Sequence, residues 1–294
     1  MTGRLGEQLV EPTAEEVIPL PAGATLVLLP QRYPVGINQA GQFKAVAEHP
    51  LIRGRQKLAA VGALLPQGYT RTLVPGFMRE KGAPVLPLFG YAAVGFKDGQ
   101  FWVAALKTDE DRTWNPKYYN TVDLPEKVAA KLGRFPENRV LGQLARCAQE
   151  YACFTAQNLF YGRWEAGIPF SPVCNARCVG CISEQVSECC PSPQQRISFK
   201  PTVEEVVELA APHLQGAEAA ILSFGQGCEG EPSLRGDELA TAIGLMRRQT
   251  SRGTINMNSN AGRPEAVEKM ARAGLDALRV SLASARPELY NLYH

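Results

Sequence analysis

Several features are scarce in this sequence of 294 residues, and each absence excludes a class of protein. No stretch approaches the roughly 20 consecutive apolar residues that a transmembrane helix needs. The first residues, MTGRLGEQLVEPTAEEV, lack the basic start and apolar run of a secretory signal peptide. These absences predict a cytoplasmic protein that has no membrane partner.

An excess of charge of either sign is also missing. Lys and Arg together number 31 and Asp and Glu 29, which gives a net charge of +2. Such a balance creates no field that a polyanion would follow, so a nucleic-acid partner is not expected. Hydrophobic residues make up 45% of the chain and charged residues 20%, which is typical of globular proteins. The length favours two domains or one large α/β domain.

Histidine is scarce, with three residues, whereas cysteine is frequent, with eight. The stretch 171-SPVCNARCVGCISEQ-185 places Cys174, Cys178 and Cys181 at the spacing C-x3-C-x2-C, and no histidine is close to it in the sequence. Zinc and iron–sulfur clusters both accept thiolate ligands. A structural zinc site takes four protein ligands, and the fourth here would come from Cys189, Cys190 or farther away. Three thiolates alone point to a cluster with one iron left without a protein ligand.

The composition of the chain changes near residue 150, which predicts a domain boundary there. Before it, 24-ATLVLLP-30 is typical of a strand, and 91–106 is typical of a hairpin turning at Asp98-Gly99. Residues 1–150 are therefore expected to form an α+β accessory domain of unknown role. A helix is predicted over 139–164, with Cys147 and Cys153 as packing residues on different faces.

From residue 166 the order of elements is βαβαβαβ, which predicts a parallel sheet with helical crossovers. In such sheets ligands gather at the carboxyl ends of the strands, so the cysteine loop and the later strand ends should share one edge. The strands are expected at 167–173, 218–225, 253–260 and 277–284, and the helices at 202–214, 235–248 and 264–274.

The cysteine loop after a first strand resembles the hallmark of the radical S-adenosylmethionine (radical SAM) enzymes, over residues 166–294. The resemblance implies a partial (β/α) barrel in the domain 151–294, with about four βα units present and the C-terminal units missing. It also implies a [4Fe-4S] cluster held by the three cysteines, with S-adenosylmethionine on the fourth iron. Reductive cleavage of this cofactor would give a 5′-deoxyadenosyl radical that abstracts a substrate hydrogen. The family often carries an aromatic residue where this chain has Gly180.

Three further segments resemble cofactor-contacting elements of the same family. Glu229-Gly230-Glu231-Pro232 is similar to its Gly-Gly-Glu-Pro element, which meets the methionine amino group, with Glu229 in place of the first glycine. The other two segments are similar to the ends of its third and fourth strands. The resemblance therefore implies that the cofactor-binding residues are Gly230, Glu231, Asn258, Asn260 and Ser281.

Alternatives from other classes stay open at this level. The 229–232 segment could be a generic loop, and the asparagines and Ser281 could be ordinary caps and turns. The triad could belong to a structural zinc module or to an iron–sulfur electron carrier. Cys189 and Cys190 could hold a second cluster or meet substrate, and Cys228 could be buried or reactive. The implied partners are an unidentified substrate (small molecule, peptide or protein) and an electron donor such as a ferredoxin or flavodoxin.

Overall fold

The computed structural model describes residues 1–49, 57–86, 90–184 and 192–294 of the chain. The chain forms two compact units, Met1–Tyr118 and Tyr119–His294. Among the described residues, no helix combines the length and the apolar character needed to cross a bilayer.

The N-terminal unit is built from antiparallel strands. Its described residues form sheets in the strand orders β2-β1-β9, β10-β5-β6 and β3-β12-β11-β7-β4, with β8 added beside β12. The elements are β1 (Gly3–Leu5), β2 (Gln8–Val10), β3 (Val17–Pro19), β4 (Thr25–Leu29), β5 (Arg32–Ile37), β6 (Phe43–Ala45), β7 (Ala60–Leu64), β8 (Tyr69–Arg71), β9 (Val74–Pro75), β10 (Phe77–Arg79), β11 (Tyr91–Lys97), β12 (Gln100–Lys107) and α1 (Asp111–Trp114).

The predicted strand at 24–30 and the predicted hairpin at 91–106 are both present in this unit. Strands β11 and β12 pair with Lys97 opposite Gln100, so that Asp98 and Gly99 form the two-residue turn. Both turn residues have positive φ, +53° and +76°. This geometry is that of the type I′ turn, which Asp-Gly sequences favour.

The C-terminal unit holds a sheet of four parallel strands in the order β13-β14-β15-β16. Parallel strands joined by helices are the mixed α/β arrangement that the order of elements predicted. The elements are α2 (Leu124–Arg134), α3 (Arg139–Gln149), α4 (Phe154–Tyr161), β13 (Glu165–Gly167), α5 (Val203–Gly216), β14 (Ile221–Phe224), α6 (Gly236–Gln249), β15 (Thr254–Ser259), α7 (Pro264–Ala273), β16 (Ala277–Val280) and α8 (Pro287–Tyr293).

Local sequence signals explain where the crossover helices begin and end. The side chain of Thr202 accepts a hydrogen bond from the backbone N–H of Glu205, whose carboxylate accepts from Thr202 N, so a capping box opens α5. Pro264 opens α7, and Gly274 closes it with a φ of +112°. These signals lie on the boundaries that the sequence predicts.

The single helix predicted over 139–164 is wrong, because two helices, α3 and α4, occupy this stretch. Ala152 has a φ of +48°, which a helix does not tolerate, and the backbone N–H of Cys153 turns back to the carbonyl of Cys147. Neither glycine nor proline marks the break. Helices α2, α3 and α4 pack with the parallel sheet in one hydrophobic core, and this compact unit starts at Tyr119.

Candidate functional site

The carboxyl ends of the four strands lie at one edge of the sheet, because β13 to β16 run parallel. The cysteine loop follows β13, the 225–231 turn follows β14, and residues 260–263 follow β15. Ser281 follows β16 directly, and its backbone N–H donates to the carbonyl of Ser259 (2.9 Å). The predicted site residues therefore belong to one edge, as the parallel topology requires.

Gly230 brings the 229–231 turn into direct contact with the start of the cysteine loop. Its N–H donates to the carbonyl of Ser171 (2.7 Å), and the N–H of Glu231 donates to the carbonyl of Val173 (2.8 Å). A Cβ atom at position 230 would lie 2.0 Å from the carbonyl oxygen of Val173 and 3.0 Å from the nitrogen of Cys174. Only glycine permits this approach.

Glu231 joins the ends of β14 and β15. Its side chain is buried, with 4% exposure. One carboxylate oxygen accepts hydrogen bonds from the Ser259 hydroxyl (2.5 Å) and the Ser233 N–H (3.0 Å), and the other accepts from the Asn260 N–H (2.9 Å). A carboxylate has about four acceptor positions, and the three hydrogen bonds from the protein use three of them.

Glu229 occupies the position of the first glycine in the family's Gly-Gly-Glu-Pro element. Its role in the structure could not be assigned from the sequence. Its buried carboxylate accepts four backbone hydrogen bonds, from Phe170 (2.7 Å), Ser171 (3.0 Å), Gly225 (2.5 Å) and Gln226 (3.3 Å). Burial raises its pKa to about 7, while the four N–H donors act in the opposite direction. The carboxylate thus ties the start of the cysteine loop to the end of β14.

The two predicted asparagines differ in what they contact. Asn258 donates from its side chain to the carbonyls of Phe224 (3.3 Å) and Gly225 (3.4 Å), so it supports the neighbouring strand end. Asn260 donates to the side-chain oxygen of Asn175 (2.8 Å), inside the cysteine loop. Asn260 therefore links the third strand end to the loop that carries the predicted cluster ligands.

The three predicted ligand thiols lie in one loop, and each has its own neighbour. The sulfur of Cys174 accepts from the N–H of Ala176 (3.5 Å), and that of Cys181 lies 3.8 Å from the Ser183 hydroxyl. Among the described residues, no group of three or more His, Cys, Asp or Glu side chains is gathered as a metal-binding set. The ligand assignment therefore stays a prediction.

The ionisation of Cys178 nevertheless depends on the other two thiols. Burial raises its pKa, and the neighbouring Cys174 and Cys181 raise it further by repulsion between thiolates. Three thiolates that oppose one another in this way suit a soft cationic metal, which would neutralise their charge. The donor set of three thiols in one loop therefore fits a thiolate-bound cluster.

A histidine that is distant in the sequence lies beside this loop in the structure. The ring nitrogen Nδ1 of His294 is 3.0 Å from the sulfur of Cys178, across 116 positions of sequence. Two backbone bonds support the contact, from Arg177 N to His294 O and from Val179 N to Tyr293 O (both 2.9 Å). No local pattern in the sequence could have indicated a pairing at this separation.

The remaining described cysteines are free thiols away from the triad's loop. Cys147 is fully buried in the core of the C-terminal unit, in agreement with its predicted packing role, and Cys153 is half-buried at the start of α4. A hydrogen bond between the thiols of Cys147 and Cys228 lowers the pKa of Cys147 and raises that of Cys228. Cys189 and Cys190 lie outside the described residues.

Residues 168–294 match the model of the radical SAM superfamily. The radical SAM resemblance predicted from the cysteine loop is thus confirmed, and the matched segment contains every predicted ligand and cofactor-binding residue. No curated protein matches the chain. No solved structure matches it either.

Proposed function

We propose that the radical SAM segment is the catalytic core of an enzyme that cleaves S-adenosylmethionine reductively. Cys174, Cys178 and Cys181 would hold a [4Fe-4S] cluster. The cofactor would bind along Gly230, Glu231, Asn258, Asn260 and Ser281. When bound, the cluster and cofactor together supply a 5′-deoxyadenosyl radical for hydrogen abstraction from an unidentified substrate.

The observation that carries the proposal is the connection between the cysteine loop and two other strand ends. The 229–231 turn is bonded to Ser171 and Val173, immediately before Cys174, and Asn260 is bonded to Asn175. A structural metal site or a generic loop would not require the cysteine loop to be bonded to the ends of β14 and β15. A cofactor that extends from the cluster along the edge of the sheet would require it.

The residues of the chain would have separate tasks in this reaction. The thiolates would hold the metal, and the free acceptor position of Glu231 would receive the ammonium group of the cofactor. The backbone at Gly230 would keep the turn close to the loop. An external one-electron donor of the ferredoxin or flavodoxin class would supply the electron, and the substrate would be a small molecule, a peptide or a protein.

The test is anaerobic reconstitution followed by metal, sulfide and product analysis. About four iron and four sulfide per chain are expected, together with 5′-deoxyadenosine formed from S-adenosylmethionine under reducing conditions. Replacing any one of Cys174, Cys178 and Cys181 with alanine should abolish cluster binding. Cys153→Ala is the matched control, because this half-buried thiol lies outside the loop, and its iron content should equal that of the wild type. Equal iron loss in all four variants would contradict the assignment.

The second candidate is a structural zinc site, which the position of His294 favours. Together with the three thiols, its ring would complete the four-ligand set that structural zinc takes. Stoichiometric zinc without sulfide in the wild-type protein would support this candidate and reject the cluster. An electron carrier without S-adenosylmethionine would instead show iron and sulfide but form no 5′-deoxyadenosine.

A further inference from the structure

Arg196 directs its guanidinium group at the third cysteine of the loop. Its Nη2 lies 3.7 Å from the sulfur of Cys181, which is within hydrogen-bonding distance for a sulfur acceptor. Its Nε donates to the hydroxyl of Ser183 (3.2 Å), and its Nη1 pairs with Glu184 (2.8 Å). All three nitrogens therefore contact the segment 181–184.

The position of this arginine is fixed by its neighbour in the chain. Ile197 is buried, with 2% exposure, and its N–H donates to the carbonyl of Cys228 (2.9 Å), in the 225–231 turn that follows β14. The side chain of Arg196 is 12% exposed, whereas that of its partner Glu184 is 66% exposed. Water therefore screens the carboxylate more than the guanidinium, and positive charge remains on the side of the thiols.

We propose that Arg196 sets the reduction potential of the cluster through its hydrogen bond to Cys181. This inference rests on the proposed function, because it requires a cluster on the triad. Reduction adds one negative charge to the metal and its sulfur ligands. A cationic donor at a ligand sulfur stabilises the reduced form, so it raises the potential and makes the cluster easier to reduce. Arg196 is a positioning and tuning residue, since it acts through Cys181.

Arg177 offers a comparison within the same loop. It is exposed to solvent, whereas the guanidinium of Arg196 is largely buried against Cys181 and Ser183.

The test is a redox titration of the reconstituted, S-adenosylmethionine-free protein, monitored by electron paramagnetic resonance with dithionite as the electron donor. Arg196→Gln should lower the midpoint potential by about 59 mV, which corresponds to a tenfold smaller equilibrium constant for one-electron reduction. Arg196→Lys, which keeps the charge, should lie between Arg196→Gln and the wild type. Arg177→Gln is the matched control, since it removes one exposed charge from the same loop, and its potential should equal that of the wild type.

Iron and sulfide content separates the possible failures. A wild-type protein without iron and sulfide would reject the proposed function itself. A wild-type cluster whose potential is the same in Arg196→Gln and Arg177→Gln would overturn the role of Arg196 alone. Should Arg196→Gln lose its iron, Arg196→Lys decides the matter: a lowered potential supports the proposal, and an unchanged one overturns it.

Discussion

Replacing Gly230 with alanine is the most direct test of how the sheet edge holds the cysteine loop. The added Cβ would lie 2.0 Å from the carbonyl oxygen and 2.4 Å from the carbonyl carbon of Val173. To reach even the shortest contact that real Cβ atoms show, the backbone must retreat from 2.0 Å to 3.0 Å. The obstacle is main chain, so no side-chain rotation can relieve it.

Two costs follow from this retreat. Overpacking of this kind typically costs about 1–3 kcal/mol. The N–H of Glu231 would also lose its acceptor on Val173, and an unsatisfied buried N–H costs about 1–3 kcal/mol. We therefore expect Gly230→Ala to lower the free energy of unfolding by about 2–6 kcal/mol. Cys174 follows Val173 directly, so cluster loading should fall as well.

The assay combines thermal unfolding of the metal-free protein with iron and sulfide analysis after anaerobic reconstitution. Gly142→Ala is the matched control, because this helical glycine has nothing within 4 Å of the added Cβ. The same chemical change there should be neutral or stabilising by about 0.5–1 kcal/mol. If Gly230→Ala matched Gly142→Ala in both stability and iron content, the close approach would have no structural importance.

Three further outcomes are expected. Glu231→Gln should weaken S-adenosylmethionine binding about tenfold to a hundredfold by calorimetry while iron content stays unchanged, because it removes a charged acceptor and keeps the shape of the side chain; unchanged affinity would remove Glu231 from the cofactor site. The raised pKa of Glu229 means that the folded protein holds a proton which the unfolded chain releases between pH 4.5 and about 7. Stability should therefore fall by roughly 3 kcal/mol as pH rises through this window in denaturant titrations, and Glu229→Gln should flatten the dependence; a parallel slope in both proteins would refute the reasoning. His294→Ala should retain iron and sulfide if the thiolates alone hold the metal, whereas loss of metal equal to that in Cys178→Ala would make His294 a ligand.

The elements with strong local signals were predictable from the sequence. The Asp98-Gly99 turn, the capping box at Thr202 and the closing glycine at position 274 each fix a backbone conformation within a few residues. The predicted first strand at 167–173 was displaced along the chain, since β13 spans Glu165–Gly167 and shares only Gly167 with it. Beyond it, the N–H groups of Phe170 and Ser171 bond to the carboxylate of Glu229 instead of to a neighbouring strand.

The contacts that sequence reasoning missed are all made between distant positions. His294 reaches Cys178, Arg196 reaches Cys181, and Glu229 reaches Phe170 from beyond a crossover helix. In each case the neighbouring residues in the sequence contain no motif that indicates the contact. Its role appears only when the fold brings a second segment within hydrogen-bonding distance.

Much of the sheet edge is held by main-chain atoms, and this affects how such a site can evolve. The bonds from Gly230 to Ser171, from Glu231 to Val173 and from Ser281 to Ser259 all run from backbone N–H to backbone carbonyl. The side chains of Val173 and Ser281 are exposed at this edge. Substitution of the Val173 side chain leaves the three bonds intact, so selection can alter what this position presents to a substrate without rebuilding the frame. At Ser281 the backbone bond is equally independent of the side chain, but the proposed contact with the cofactor restricts which side chains can stand there.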